Sequence, residues 1–390
     1  MMRARVLDSI ESVPAKQWNA LDIGGNPFLR HEFLAALERT GRVGPDAGWA
    51  PEHLVIEDPA GIAGAIPLYR KHHSWGEFVF DWSWAQAYHQ AGLPYYPKLV
   101  SMAPFSPVPG ARLLARPDSD APAIRRVLID AVIEHARSQA CSSIHVLFTM
   151  QPELQLLLQA GFLLRHDCQF HWHNRGYHTF EDFLATFRAE KRKKALRERR
   201  RVRESGIEFR TLHGQDIDAA LWRTVFAFSA STFQARGHEH YLSVEFFERI
   251  ACELPDSIMV KLASYGDRPI AAAIFLRSQD TLYGRYWGAA ADFHSLHFEA
   301  CYYQGIEYCI EHGLQRFEPG TQGEHKVPRG FEPAHTWSAH WIADPRFRRA
   351  IDRYLAQERI AIDEYMASVR YHTPYRHDYR SDWATAGVSS

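Results

Sequence analysis

The residues Ile62-Ala63-Gly64-Ala65-Ile66-Pro67-Leu68 recur far downstream as Ile270-Ala271-Ala272-Ala273-Ile274-Phe275-Leu276. Each copy follows a β-rich run, His53–Glu57 or Ile258–Ser264, and a turn, Asp58-Pro59-Ala60-Gly61 or Gly266-Asp267-Arg268-Pro269, so each reads as strand, turn, strand. The order then continues alike in both halves. An amphipathic helix predicted over Ile124–Ala140, containing Ile133-Glu134-His135, leads into a strand at Ser143–Phe148. A second, over Phe298–His312, contains Ile310-Glu311-His312 and leads into Leu314–Glu318. Hairpin, third strand, helix, strand, written twice, predicts two α/β domains with mixed sheets rather than one large sheet. A length of 390 residues accommodates two such domains. The expected break is at Arg175-Gly176, where a strand over Phe162–Trp172 has ended and a polar helix begins near Phe180, giving domains 1–175 and 176–390. The first domain carries an insert, 81–117, rich in Pro and aromatics, which predicts a long ordered loop. A last helix is expected over Pro345–Val369.

Charge is informative only locally. Lys and Arg number 45 against 46 Asp and Glu, so no overall basic field favours a polyanion. From Arg188 to Glu204, however, ten Lys or Arg stand with three Glu. As a helix, this run has a thin apolar stripe of Phe183, Phe187, Ala195 and Val202, with cations over most of the remaining circumference. Their mutual repulsion would be relieved by an anionic partner such as phosphate groups of RNA or a nucleotide. The 22 His are scattered and the five Cys form no CxxC pair, so no metal is expected and the thiols read as reduced core residues. No stretch has the roughly 18 apolar residues of a membrane span. Arg3 and Arg5 meet Asp8 and Glu11 without a secretory apolar region, which predicts a cytoplasmic protein.

Two segments have the residue types of a reaction site. Arg285-Tyr286-Trp287-Gly288 ends a strand and opens through Ala289–Leu296 into His297-Phe298-Glu299-Ala300-Cys301-Tyr302-Tyr303, where backbone N–H groups at Gly288 and the helix start can hold phosphate or polarise a carbonyl. On a regular helix His297 falls near Cys301, with Glu299 and Tyr303 pointing elsewhere. The second is Glu318-Pro319-Gly320-Thr321-Gln322-Gly323-Glu324-His325-Lys326, then Arg329. A loop after a strand is where an α/β sheet places its ligand, and Glu324 or His325 can take a proton from an attacking amine. Walker A, GxGxxG and GxSxG patterns are absent, against a nucleotide hydrolase, a Rossmann dehydrogenase and a serine esterase.

Together, Tyr95-Tyr96-Pro97-Lys98-Leu99, Pro104-Phe105-Ser106-Pro107-Val108, the basic helix closing in Glu204-Ser205-Gly206-Ile207, His297-Phe298-Glu299 and Gln322-Gly323-Glu324-His325-Lys326 resemble the FemAB-like family. These are bacterial peptidoglycan biosynthesis or recognition proteins grouped with the GNAT N-acyltransferases. The resemblance spans nearly the whole chain and is most specific in the last motif. It implies two tandem GNAT-like domains and transfer of an acyl or aminoacyl group to an amine, with no permanently bound cofactor. The donor substrate would be acyl-CoA or aminoacyl-tRNA, and the acceptor a small-molecule or cell-wall amine. The GNAT pyrophosphate signature is not legible after Tyr283–Trp287, where Ala289-Ala290-Ala291-Asp292 stands, which weakens acetyl-CoA as donor. The basic helix favours a polyphosphate or RNA donor, and so tRNA as a partner. On this reading His325 or Glu324 is the base and Tyr302 the acid. Arg192, Lys193, Arg197, Arg200, Gly288 and His297 bind the donor, and Tyr95, Tyr96, Lys98, Arg285, Lys326 and Arg329 the acceptor. The competing reading is a non-catalytic module that recognises a cell-wall precursor or RNA.

Overall fold

The structure, a computed structural model, describes residues 2–377 apart from Gln322, together with Tyr379. Along the chain the strands are β1 (Arg3–Leu7), β2 (Trp49–Pro51), β3 (His53–Asp58), β4 (Gly61–Ile66), β5 (Tyr69–Lys71), β6 (Lys98–Ser101), β7 (Leu114–Ala115), β8 (Ser143–Thr149), β9 (Leu163–His173), β10 (Ile207–His213), β11 (Ile258–Tyr265), β12 (Arg268–Arg277), β13 (Thr281–Ala289), β14 (Arg316–Glu318) and β15 (Glu332–Ile342). Contacts divide the chain into two compact units. One is Met1–Asp167 with Tyr241–Glu253 and His335–Asp363; the other is Cys168–His240 with Leu254–Ala334 and Glu364–Ser390. Where the sequence suggests one break at Arg175-Gly176, this division passes inside β9 and β15.

In the first unit, β3 and β4 form the expected hairpin and pair within a four-stranded sheet of order β1-β3-β4-β7. The helix Ala121–Ser138 covers it with Ile124, Leu128 and Val132, each at most 2% exposed. A buried side chain of this kind contributes about 1.5–3 kcal/mol. Pro67 stands where the second copy has Phe275. Proline has no N–H to give to a ladder, so the strand breaks after Ile66 and resumes as β5, whereas β12 runs unbroken from Arg268 to Arg277. β5 pairs antiparallel with β6, and β6 pairs parallel with β8. The insert 81–117 is therefore not one long loop. It contains a helix, Trp82–Gln90, and the interior strand β6. Four residues headed by a lysine carry too little periodicity to announce a strand.

The second unit repeats the plan without the break. Strands β10, β11, β12 and β13 are antiparallel neighbours, and β13 pairs parallel with β14. In both copies, then, the third strand lies parallel to the strand after the helix. The helix Ala219–Gln234, capped by the Asp218 carboxylate on Leu221 N–H, packs on β12 and β13. Gly288 permits that approach, since a Cβ there would lie 1.7 Å from the Phe228 carbonyl oxygen. The core gathers Phe183, Tyr303, Ile306, Phe317 and Phe331. No helix among the described residues is long and apolar enough to cross a membrane.

Candidate active site

The basic run does not form one helix from Phe180. Phe180–Ala185 is a short helix with a Thr179/Asp182 capping box, and Ala189–Glu204 is a second. Between them Phe187 makes a β-bridge with Tyr375, while Arg188 N–H donates to Pro374 O and Arg376 N–H to Thr186 O. On the second helix Ala195, Glu198 and Val202 are the buried residues. Arg192, Lys193, Arg197 and Arg200 are exposed.

The inward Glu198 organises the site. Its carboxylate accepts from Arg329 Nη2 at 2.8 Å and Nε at 3.1 Å, and from the Tyr303 hydroxyl at 2.7 Å. Arg329, 4% exposed, stacks its guanidinium 3.4 Å from the Phe298 ring centre and donates Nη1 to the His325 carbonyl. A bidentate, stacked arginine holds its neighbours in one geometry. Arg329 thus positions the His325 backbone instead of standing open for an acceptor, as the sequence suggested.

His325 itself faces solvent, and its Nε2 shares a 2.7 Å hydrogen bond with the hydroxyl of Tyr302, which is 3% exposed. Gly323, at φ +106°, leaves room for the ring, because a Cβ there would lie 2.0 Å from His325 Cε1. The expected helix from Phe298 is irregular. Leu296–Phe298 leads into one π turn, Glu299–Tyr303, before the α-helix Gln304–Glu311. The wider turn brings residues five apart onto one face. His297 therefore meets Tyr302, ring centres 5.4 Å apart, and lies 6.0 Å from His325. Regular helical spacing would have put Cys301 beside His297 instead. Single π turns of this kind recur at functional sites.

Burial sets the protonation states. It holds the His297 imidazole down at about 4, helped by the nearby His325, Arg329 and Lys326 charges. It also lowers His325, again with help from Lys326 and Arg329, and raises the Tyr302 phenol. A neutral imidazole beside a protonated phenol is the state a general base and acid need. Lys326, 2% exposed, is lowered to about 7 by burial and donates its ammonium to Gly320 O. Glu318, at the end of β14, is pushed up to about 7 by burial despite Arg316 Nε at 2.9 Å.

Next to this cluster the sheet opens. β14 meets β13 only at Thr281, Leu282 and Tyr283, whereas β13 runs on to Ala289. Arg285 sits at the bulge where the β12 register shifts. Beyond it lies a cavity of about 340 Å³ lined by Thr232, Arg236, Trp287, Asp292, Phe293 and His297. Gly288 contributes the helix approach described above, not an exposed donor. Glu324 is exposed and accepts from the Tyr365 hydroxyl at 2.9 Å. Gln322 of the sequence motif lies outside the described residues.

The remaining acceptor candidates lie in the first unit. Lys98 is fully buried, donating to Glu77 Oε2 at 2.8 Å and to Asp81, while Tyr95, 4% exposed, donates its hydroxyl to Asp81. Tyr96 is half-buried and shares a 2.9 Å hydrogen bond with Ser74. Tyr95 and Lys98 are thus parts of an interior ion-pair network. Sequence reasoning missed Glu198 and Tyr303. The available signal was a lone glutamate on the Ala195/Val202 face of an otherwise cationic helix.

A family model described as FemAB-like, peptidoglycan biosynthesis/recognition, matches residues 9–377. A comparison with curated proteins returns no match. Among solved structures, FemX superposes with a TM-score of 0.54 at 11% identity, covering 90% of this chain and 100% of that one. L-PGS from Bacillus licheniformis gives 0.51 at 10%, covering 85% and 97%. A tandem GNAT protein from the clavulanic acid biosynthesis pathway gives 0.45 at 11%, covering 88% and 99%. The architecture is mixed α/β with mixed sheets, and its fold is that of FemX. With the family match running from residue 9 to residue 377, the chain belongs to the FemAB-like family.

Proposed function

We propose that the second unit is an N-acyltransferase centre that moves an acyl or aminoacyl group from acyl-CoA or aminoacyl-tRNA to an amine, with a cell-wall precursor as the natural acceptor class and the cytoplasm as the setting. The observation that carries this reading is the Tyr302–His325 pair at 2.7 Å, held by Arg329 and Glu198 beside the opening of β13. In the proposed reaction the amine attacks the acyl carbonyl and His325 takes the amine proton. The tetrahedral intermediate then expels the thiolate or ribose oxygen, which Tyr302 protonates. The exposed cations Arg192, Lys193, Arg197 and Arg200 meet the donor's phosphates. His297 borders the donor cavity, and Arg285 and Lys326 remain the acceptor candidates in this unit. Glu324, turned to Tyr365, is the weaker base.

The test is turnover of an amine acceptor with each donor in turn. His325→Ala and Tyr302→Phe should each lower kcat by about 10²–10⁴-fold while leaving the far-UV spectrum unchanged. Because the folded protein lowers the His325 pKa, the acid limb of the kcat/KM profile should fall below the ordinary imidazole value of 6.5. Unchanged turnover in both variants would remove the pair from the chemistry. The family's description also includes recognition. Saturable binding of a cell-wall precursor without turnover by either donor would favour that reading.

A further inference from the structure

We propose that the first unit contains a binding site for one divalent transition-metal ion, formed by His166, His335 and Asp363, which ties the C-terminal helix Pro345–Arg370 to β9 and β15. The three residues come from three separate elements, and one potential ligand atom of each lies within 4.8 Å of the other two. Asp363 Oδ1 is 2.9 Å from His335 Nε2 and 3.2 Å from His166 Nε2. A tetrahedral ion with bonds of about 2.0–2.1 Å has ligand atoms roughly 3.3 Å apart, so these two edges are already close to the required length. Without an ion, His335 Nε2 pairs with Asp363 Oδ1, and His166 Nε2 lies between that oxygen and the Arg359 carbonyl oxygen, 3.3 Å away.

The surroundings suit ligands. The Trp337 ring stacks on His335, centres 5.0 Å apart at 24°, and meets His166 edge-on at 5.3 Å, so one indole fixes both imidazoles. Two imidazoles and one carboxylate select zinc, cobalt, nickel or copper over magnesium and calcium, and three protein ligands leave one position for water. Sequence spacing could not reveal the site, because positions 166, 335 and 363 match no short motif.

The test uses the full chain, stripped with EDTA and titrated separately with zinc chloride, cobalt chloride and magnesium chloride. Wild type should bind one zinc per chain above the weak background of a protein with 22 His, and should show visible cobalt absorption of a low-coordinate site. Asp363→Asn and His335→Ala alter side chains that are 56% and 31% exposed, so both variants should fold. Each should weaken zinc binding by about 100-fold or more, given that loss of even an outer hydrogen-bond partner costs 10–100-fold. A hundredfold zinc excess over Kd should raise the wild-type Tm by about 5–10 °C and leave the variants unmoved. Equal zinc binding by wild type and both variants, or no stoichiometric binding by any, would overturn the site. Acyl transfer plays no part in this readout, so its failure is separable from failure of the proposed reaction.

Discussion

Glu318 and Lys326 are buried in the same unit and both titrate near neutrality, from opposite directions. Glu318 rises from 4.5 to about 7. Its carboxyl is protonated in both states at low pH, and the folded state then loses stability as pH climbs from 4.5 to about 7. Lys326 falls from 10.5 to about 7, so its penalty is complete below 7 and disappears as pH rises toward 10.5. The summed contribution of these two groups is therefore lowest near pH 7. Denaturant titrations across pH, read as the difference from wild type, should show Glu318→Gln flattening the limb between about 4.5 and 7. Lys326→Met should flatten the limb between about 7 and 10.5. Each difference should reach about 2 kcal/mol or more, since a tenfold change in proton affinity is worth about 1.4 kcal/mol. Little of this was legible from residue identities. A loop holding Glu324, His325, Lys326 and Arg329 advertises ionisable groups, but not which are interior. Lys326 and Arg329 are buried and Glu324 is not, because the short helical turn Glu324–Arg329 winds its first two residues outward.

The basic helix does two jobs that a count of charges merges. Glu198 anchors Arg329, and Arg199 reaches Glu299 and Glu307, so part of the cationic excess is neutralised within the unit. Arg192, Lys193, Arg197 and Arg200 are among the seven exposed cations that remain for a polyanion, with Lys194, Arg201 and Arg203. Replacing Arg192, Lys193, Arg197 and Arg200 by Gln should reduce the slope of log Kd for aminoacyl-tRNA against log salt by about 3, at roughly 0.7–0.9 per phosphate contact. An unchanged slope would put the RNA elsewhere. The run Arg188–Glu204 was legible as a helix, but not that Phe183 and Phe187 lie outside it, because the Phe187–Tyr375 bridge joins residues far apart in sequence. The π turn was hidden for a related reason. Its apolar residues satisfy a regular helix equally well, and only packing decides for the wider winding.

The internal echo made the molecule's plan readable, since a hairpin, third strand, helix and parallel strand occur in both units. It did not show how the copies differ. In the first unit β8 runs beyond β6, and there Gly110 N–H donates to Phe148 O and Arg112 Nε to Leu147 O, so the chain itself occupies that edge. In the second unit β13 outruns β14 beside the cavity. Calorimetric titration with the productive donor should accordingly give one equivalent per chain, and two sites of equal affinity would mean that the first edge also opens. The repeat fixes scaffolding, while chain length at a few points decides where a ligand fits. Counted in residues, the winding at Glu299–Tyr303 is an insertion of one. A regular helix puts residues four apart on one face, so excising Ala300 should let this segment wind as an unbroken α-helix with Tyr302 still beside His297 and net charge unchanged. A single-codon deletion there should therefore be tolerated, whereas the same deletion one turn further on, inside Gln304–Glu311, would rotate everything before it by about 100°.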